Sequence, residues 1–248
     1  MSGHSKWSTI KRKKGALDAK RGKMFTKLIK EISVAVREGG PDPEGNPRLR
    51  LAIQNAKGAN MPKDNVERAI KKAAGEGGEA YVETTYEGYG PFGVAIYVET
   101  ATDNTNRTVS TVRSLFSKSG GSLSTNGSLM FLFDRKGVFT FRTPEGQDED
   151  EFTLELIDAG AEEVEFDEEY ATVTCVMEDF GSVQKFLDDA GVEVENAELR
   201  RIPTTTKQLD DEELTKVMRL IEQLEDDDDV QQVYHNVEIS DSQMASME

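Results

Sequence analysis

The chain has 248 residues, of which 36% are hydrophobic, and a formal net charge of −17 at pH 7. This length suits two or three domains better than one large core. No apolar run approaches the roughly 18 residues that a membrane span requires, and the basic start lacks the apolar stretch of a secretory signal. The single cysteine, Cys175, excludes an internal disulfide framework and is typical of a reducing compartment, so we expect a cytoplasmic protein without a membrane partner.

The charge is divided unequally along the chain. Residues 1–75 hold 18 basic and 7 acidic side chains, a net charge of +11, whereas residues 76–248 hold 12 basic and 40 acidic ones, a net charge of −28. The first 30 residues alone carry ten Lys or Arg and one acid, Asp18. This asymmetry predicts a polyanionic partner at the amino-terminal end.

Helical periodicity begins near Met24, where apolar residues recur at three- and four-residue spacing until Gly39 and Gly40 end the run. A turn at residues 42–47 leads to a second helix, and Pro62 opens a third. Three helices with short connections predict a small antiparallel bundle. We therefore assign residues 1–78 to a basic amino-terminal arm and a three-helix bundle.

From Tyr81 the pattern changes to that of strands. Two strands, a helix and a strand through Leu129, Phe131 and Phe133 give the order ββαβ. The next predicted elements follow the order βαββαβ, which is typical of ferredoxin-like domains: strand 137–142, helix 148–159, strands 162–167 and 170–177, helix 181–190 and strand 194–202. A helix at 210–225 and a strand at 230–237 complete the chain.

The ββαβ group that begins at Tyr81 lacks one helix and one strand of a complete βαββαβ-sized layer. The helix at 210–225 and the strand at 230–237 supply them. The predicted fold class is therefore α+β with three domains: an amino-terminal helical bundle and two ferredoxin-like-type α+β domains, one inserted in the other. The predicted boundaries are 79–135 with 204–239 for the discontinuous middle domain, 136–203 for the inserted domain and 240–248 for a tail.

Catalytic and cofactor motifs are missing from the sequence. Gly88-x-Gly90-x-x-Gly93 matches the letters of a dinucleotide fingerprint, but strand patterns lie on both sides of it where a helix should follow. With two histidines and one cysteine, zinc sites and nucleophile–base pairs have few residues to form from. We expect no enzyme activity, no catalytic residues, no cofactor, no metal and no small-molecule substrate.

The candidate nucleic-acid-binding residues lie at the amino-terminal end. Lys and Arg side chains release counterions from phosphates, and an exposed tryptophan can stack on a base. The predicted set is Lys6, Trp7, Lys11, Arg12, Lys13, Lys14, Lys20, Arg21, Lys23 and Lys27. Lys57, Lys63, Arg68, Lys71 and Lys72 could extend this surface across the bundle. The alternative interpretation is a solubilising basic tail, or a basic surface of the bundle that binds nothing.

An acidic run follows the predicted helix at 210–225. Acidic side chains at a helix carboxyl end oppose the macrodipole, so Asp226, Asp227, Asp228 and Asp229 need an explanation. Three interpretations stay open: a solvated turn, a docking surface for a basic partner, or a divalent metal site.

Several motifs together resemble the YebC/PmpR family. They are Gly3-His-Ser-Lys-Trp7, Asp18-Ala-Lys-Arg-Gly-Lys23, Asn46-Pro-Arg-Leu-Arg50, Tyr86-Glu-Gly-Tyr-Gly-Pro91, Asn104-x-Asn-Arg-Thr108 and Val233-Tyr-His-Asn236. The resemblance runs from Gly3 to about Ile239. It implies three domains and a regulator of transcription that binds DNA. The family also includes mitochondrial translational activators, which implies a role in translation at the ribosome.

The sequence thus favours a non-enzymatic regulator of gene expression that binds DNA or RNA, with the ribosome or the transcription machinery as partners. A second hypothesis is a protein–protein adapter whose acidic surface docks a basic partner such as a ribosomal protein or polymerase factor. A third is a metal-dependent nuclease built on Asp226–Asp229.

Overall fold

The computed structural model describes residues 18–75, 80–144, 146–167, 169–240 and 242–244. These residues divide into two compact units. The first contains the described residues up to Val34, Gly75–Asp134 and those from Ile202 onward, and the second contains Ala35–Ala74 and Arg135–Arg201. Helices and antiparallel sheets make up both units, so the predicted α+β fold class, with a helical amino-terminal region and two sheet domains, is confirmed.

Three helices begin the described chain: α1 (Asp18–Gly39), α2 (Pro47–Gly58) and α3 (Lys63–Ala74). Helix α1 begins earlier than the predicted Met24, because its first turns are basic and carry no apolar period for the sequence to reveal. Gly40, at φ 87°, ends it in the left-handed conformation that glycine accepts. Asn46 caps α2 by accepting a hydrogen bond from the Leu49 amide at 3.0 Å.

The remaining elements follow in chain order. They are β1 (Val82–Tyr89), β2 (Ala95–Thr102), α4 (Thr105–Lys118), β3 (Ser122–Leu123), β4 (Phe133–Arg142), α5 (Glu149–Asp158), β5 (Ala161–Phe166), β6 (Tyr170–Val176), α6 (Phe180–Asp189), β7 (Val194–Pro203), β8 (Lys207–Gln208), α7 (Asp211–Glu225), β9 (Val230–His235) and β10 (Val237–Glu238).

The first unit is built on a sheet with the strand order β3-β1-β2-β9. Alternation along β2 sends Ile96 and Val98 into a core with α4 and α7, while Ala95 and Tyr97 belong to a second cluster that includes Leu129 and Phe133. Strand β9 follows α7 and pairs antiparallel with β2. Strand β9, which follows α7, therefore completes the sheet that β1 and β2 begin.

The second unit contains a sheet with the order β5-β6-β4-β7 and the helices α5 and α6. Numbered from its own first strand, this is the order 2-3-1-4 of a βαββαβ layer. Phe139, Phe152, Leu156 and Val183 lie in its core. Cys175 is also fully buried there, and desolvation raises the pKa of its thiol to about 11, as expected of a core side chain.

Two local features bear on the sequence predictions. Residues Met130–Leu132 form a 3₁₀ turn rather than the predicted strand, and β4 begins only at Phe133. The Gly88–Gly93 segment joins β1 to β2 through another 3₁₀ turn, as the strand patterns on both sides predicted. A Cβ atom on Gly88 would lie 2.6 Å from the Ser122 carbonyl oxygen, so this glycine allows β3 to pack closely.

Helix α2 contacts the outer strand β7 within the second unit. Asn55 donates to the Ala197 carbonyl at 2.8 Å and accepts from the Ala197 amide at 2.9 Å, so its side chain satisfies both main-chain groups of that residue. A Cβ atom added to Gly58 would lie 1.8 Å from the carbonyl oxygen of Glu195. The close approach of helix to strand therefore requires glycine at this position.

We expect Gly58→Ala to destabilise the chain by about 1–3 kcal/mol, because the added methyl group meets backbone that cannot rotate away. Urea unfolding measures the change. Gly181→Ala is the matched control: Gly181 lies in α6 of the same unit with open space at its Cβ, and alanine there should stabilise by up to about 1 kcal/mol. Equal effects of the two substitutions would contradict the steric explanation.

Candidate nucleic-acid interface

The predicted nucleic-acid-binding residues fall into two groups. Lys6, Trp7, Lys11, Arg12, Lys13 and Lys14 lie outside the described residues. Lys20 belongs to the first turn of α1, but its side chain is not among the parts of the chain that the structure describes. Arg21, Lys23 and Lys27 are described, and the Arg21 guanidinium lies 5.7 Å from the centre of the Phe25 ring.

Three lysines on one face of α1 contact the end of α7. Lys23, Lys27 and Lys30 are spaced by four and three residues, which places them on the same side of a helix. Lys23 forms an ion pair with the Asp226 carboxylate at 2.7 Å. Lys27 donates to the Glu225 carbonyl at 2.9 Å, and Lys30 donates to the Asp228 carbonyl at 2.7 Å. Cations thus compensate the negative end of the α7 dipole.

Lys30 is the most buried of the three lysines. Its ammonium group also donates to the Ala101 carbonyl at 3.2 Å and to Asp229 Oδ1 at 2.8 Å, so all three of its N–H donors have acceptors. The side chains of Lys30 and Asp229 are each only 8% exposed. This pair therefore fixes α1 to the turn between α7 and β9.

Asp229 collects further donors around its second oxygen. Arg107 donates to Oδ2 at 2.7 Å, and the hydroxyl groups of Thr108 and Thr102 lie 2.9 and 3.1 Å from it. Burial alone would raise the pKa of Asp229, but the hydrogen bonds from Lys30, Arg107 and Thr108 outweigh burial and lower this pKa to about 2. Asp229 is therefore a carboxylate throughout the physiological range.

Arg107 and Lys30 also line an open cleft of about 470 Å³ in the first unit. Arg107 pairs with Asp103 and Asp229 at 2.7 Å each, and its hydrogen bond to Asp229 is the largest cause that raises its pKa above the ordinary value. The sequence identified neither residue as part of this cluster, because their partner Asp229 is 199 residues from Lys30 and 122 from Arg107. The signals of this cluster in the sequence were the acidic run that contains Asp229 and the N-cap motif at Asn104.

The four aspartates of the acidic run have different environments. Asp226 is exposed and paired with Lys23, whereas Asp229 is buried. Asp227 accepts a hydrogen bond from the Asp229 amide at 2.8 Å. The Asp228 side chain is exposed, while its carbonyl binds Lys30. In the described residues, no group of three or more His, Cys, Asp or Glu side chains could hold a metal ion.

The second unit carries a separate basic surface on α2 and α3. Arg50, Arg68, Lys71 and Lys72 are exposed there, and Arg68, Lys71 and Lys72 share one side of α3. Lys57 pairs with Glu193 at 2.7 Å, and Lys63 lies 3.7 Å from Glu67. Arg50, Arg68 and Lys71 form no ion pair with another described residue.

Across the described ranges, no helix is long and apolar enough to cross a membrane.

We expect Lys30→Met to lower the free energy of unfolding by about 3–5 kcal/mol, because it leaves the Asp229 carboxylate buried without its ammonium partner. Urea unfolding followed by circular dichroism measures the loss. Lys23→Met is the matched control: its ion pair is exposed, so the cost should stay below about 1 kcal/mol. Equal losses in the two variants would show that burial does not determine the strength of these pairs.

The Asp229 pair also predicts a pH dependence. The pKa of Asp229 falls from its ordinary value of 3.8 to about 2 in the folded chain, so its contribution is complete above pH 4 and is lost as the pH falls towards 2. Asp229→Asn should therefore show a shallower loss of stability than the wild type between pH 4 and pH 2. Thermal unfolding of both chains across that range tests this, and parallel curves would contradict it.

Comparison with protein families identifies relatives over nearly the whole chain. A family model described as the TACO1/YebC protein N-terminal domain matches residues 5–76, and a second, described as the TACO1/YebC second and third domain, matches residues 81–237. Two curated relatives are each named probable transcriptional regulatory protein. One from Amoebophilus asiaticus is 56% identical over 96% of this chain and 98% of its own, and one from Geotalea uraniireducens is 54% identical over the full length of both.

A solved structure agrees with this result. The crystal structure of a conserved hypothetical protein from Aquifex aeolicus is 49% identical in sequence to this chain. It matches with a TM-score of 0.82 and covers 90% of this chain and 93% of its own. Sequence and structure therefore give the same assignment: the chain belongs to the TACO1/YebC family.

Proposed function

We propose that the chain is a non-enzymatic regulator of gene expression that binds nucleic acid through residues 1–75. The observation that carries the proposal is the division of charge, with +11 in residues 1–75 and −28 in the rest. A polyanion is attracted by the first part and repelled by the second, which orients the chain on its partner. The names of the curated relatives support a regulator of transcription.

The exposed cations of α2 and α3 support a binding surface that extends beyond the amino-terminal arm. Arg50, Arg68 and Lys71 form no ion pair with other described residues, so binding a phosphate would not require them to leave an acidic partner. Contacts of this kind hold the nucleic acid backbone and carry no base sequence information. Such contacts can form with DNA or RNA, so both the transcription machinery and the ribosome are compatible with the proposed function.

The second candidate function is an adapter that docks a basic protein. It is favoured by α5, which carries five acidic residues and no basic one. Leu154 and Ile157 lie three residues apart on this helix, and they are 64% and 49% exposed. Exposed aliphatic side chains among carboxylates would suit a basic segment with apolar anchors.

Salt titration distinguishes the two functions. If residues 1–75 neutralise phosphates, the logarithm of the affinity should fall linearly with the logarithm of the salt concentration. Replacing Lys11, Arg12, Lys13 and Lys14 together by alanine should make this slope less negative by about three, since each phosphate contact contributes roughly 0.7–0.9. Fluorescence anisotropy with a labelled DNA duplex and an RNA hairpin of the same stem sequence measures it.

The matched control removes the same charge outside residues 1–75. Lys118, Lys185, Lys216 and Arg219 are all exposed, and their joint replacement by alanine should leave the slope close to that of the wild type. An unchanged slope in the amino-terminal variant, or equal changes in both, would reject the proposed interface and favour the adapter. Tighter binding of either probe would show which nucleic acid is preferred.

A further inference from the structure

The three lysines of the α1 face differ in how firmly they are held. Lys30 is buried and uses all three donors, as described above. Lys27 is partly buried and donates to the Glu225 carbonyl. Lys23 lies nearest to the amino end, its side chain is 43% exposed, and it is paired with Asp226, which is 72% exposed. Burial therefore decreases towards the amino end of α1, which the basic residues 1–17 precede in the sequence.

An exposed ion pair is weak and exchanges readily with other partners. A phosphate group can offer Lys23 the same kind of oxygen acceptor that the Asp226 carboxylate offers, and the additional positive charge of the arm would draw a polyanion towards this end of α1. Asp226 and a phosphate would then compete for one ammonium group.

We propose that Asp226 is an intramolecular competitor that holds Lys23 in the free chain and lowers its affinity for nucleic acid. This inference rests on the proposed nucleic-acid-binding function. Asp229 cannot take the same role, because its carboxylate is buried and bound by Lys30, Arg107 and two hydroxyl groups. The acidic run thus contains one structural carboxylate and, three residues before it, one exchangeable carboxylate.

The test compares two variants of equal charge. Asp226→Asn removes the charged partner of Lys23 and keeps the main-chain carbonyl that Lys23 also contacts at 3.3 Å. Asp228→Asn removes a neighbouring exposed carboxylate whose side chain does not bind Lys23. Both reduce long-range repulsion of phosphates by one charge. The difference between them therefore isolates the Lys23–Asp226 contact. We expect Asp226→Asn to bind the labelled RNA hairpin and DNA duplex about two- to fivefold more tightly than Asp228→Asn, the range that corresponds to the strength of an exposed pair.

A Lys23→Gln background completes the experiment. There, Asp226→Asn and Asp228→Asn should bind equally, because Lys23 is no longer present to be released from Asp226. If the full chain binds neither probe, the proposed function and this inference both fail. If the chain binds with a steep salt dependence but the two aspartate variants bind equally, the function stands and the inference is rejected. If Asp226→Asn still binds more tightly than Asp228→Asn in the Lys23→Gln background, the inference is also rejected. Unchanged thermal unfolding confirms that each variant is folded.

Discussion

The buried ion pair between Lys30 and Asp229 is the interaction on which the first unit depends. Removing two charges from water is costly unless their hydrogen-bonding capacity is met, and here every donor of Lys30 has an acceptor. The acceptors come from the end of β2, at Ala101, and from the turn between α7 and β9. Arg107 and Thr108, at the start of α4, bind the other carboxylate oxygen. One carboxylate therefore fixes α1, β2, α4 and β9 in their positions.

This pair also explains a sequence feature that is unfavourable when considered locally. Successive aspartates at the carboxyl end of α7 oppose its dipole and repel one another. The lysines of α1 provide the compensation, because their spacing presents Lys23, Lys27 and Lys30 to that end as a row. The opposite charges that the sequence keeps apart thus meet within the first unit. The +11 of residues 1–75 consequently overstates the charge that is free to attract a polyanion.

Periodicity was sufficient to predict most of the fold. The βαββαβ order, the hairpin at Gly88–Gly93 and the helices α2 to α7 all follow from local patterns of apolar residues and turn residues. The strand predicted through Leu129 and Phe131 was wrong because a buried carboxylate, Glu87, binds the amides of Gly127 and Leu129 and draws this segment into a turn. Glu87 is about 40 residues from this segment, and a local pattern does not reveal such a contact. The Asp229 cluster was missed for the same reason, because its members are also distant in sequence.

Three asparagines in the motifs that carry the family resemblance hold the fold together. Asn46 and Asn104 cap helices, and Asn236 accepts a hydrogen bond from the Ala95 amide at 2.9 Å. Such residues identify the architecture, but their polar groups already have partners within the chain. Binding to an external partner needs groups that remain available, such as Arg68 and Lys71 on α3. Function must therefore depend on exposed charge. The family motifs contribute to it in two ways: their asparagines position the helices, and Arg21 and Arg50 within the motifs are themselves exposed cations.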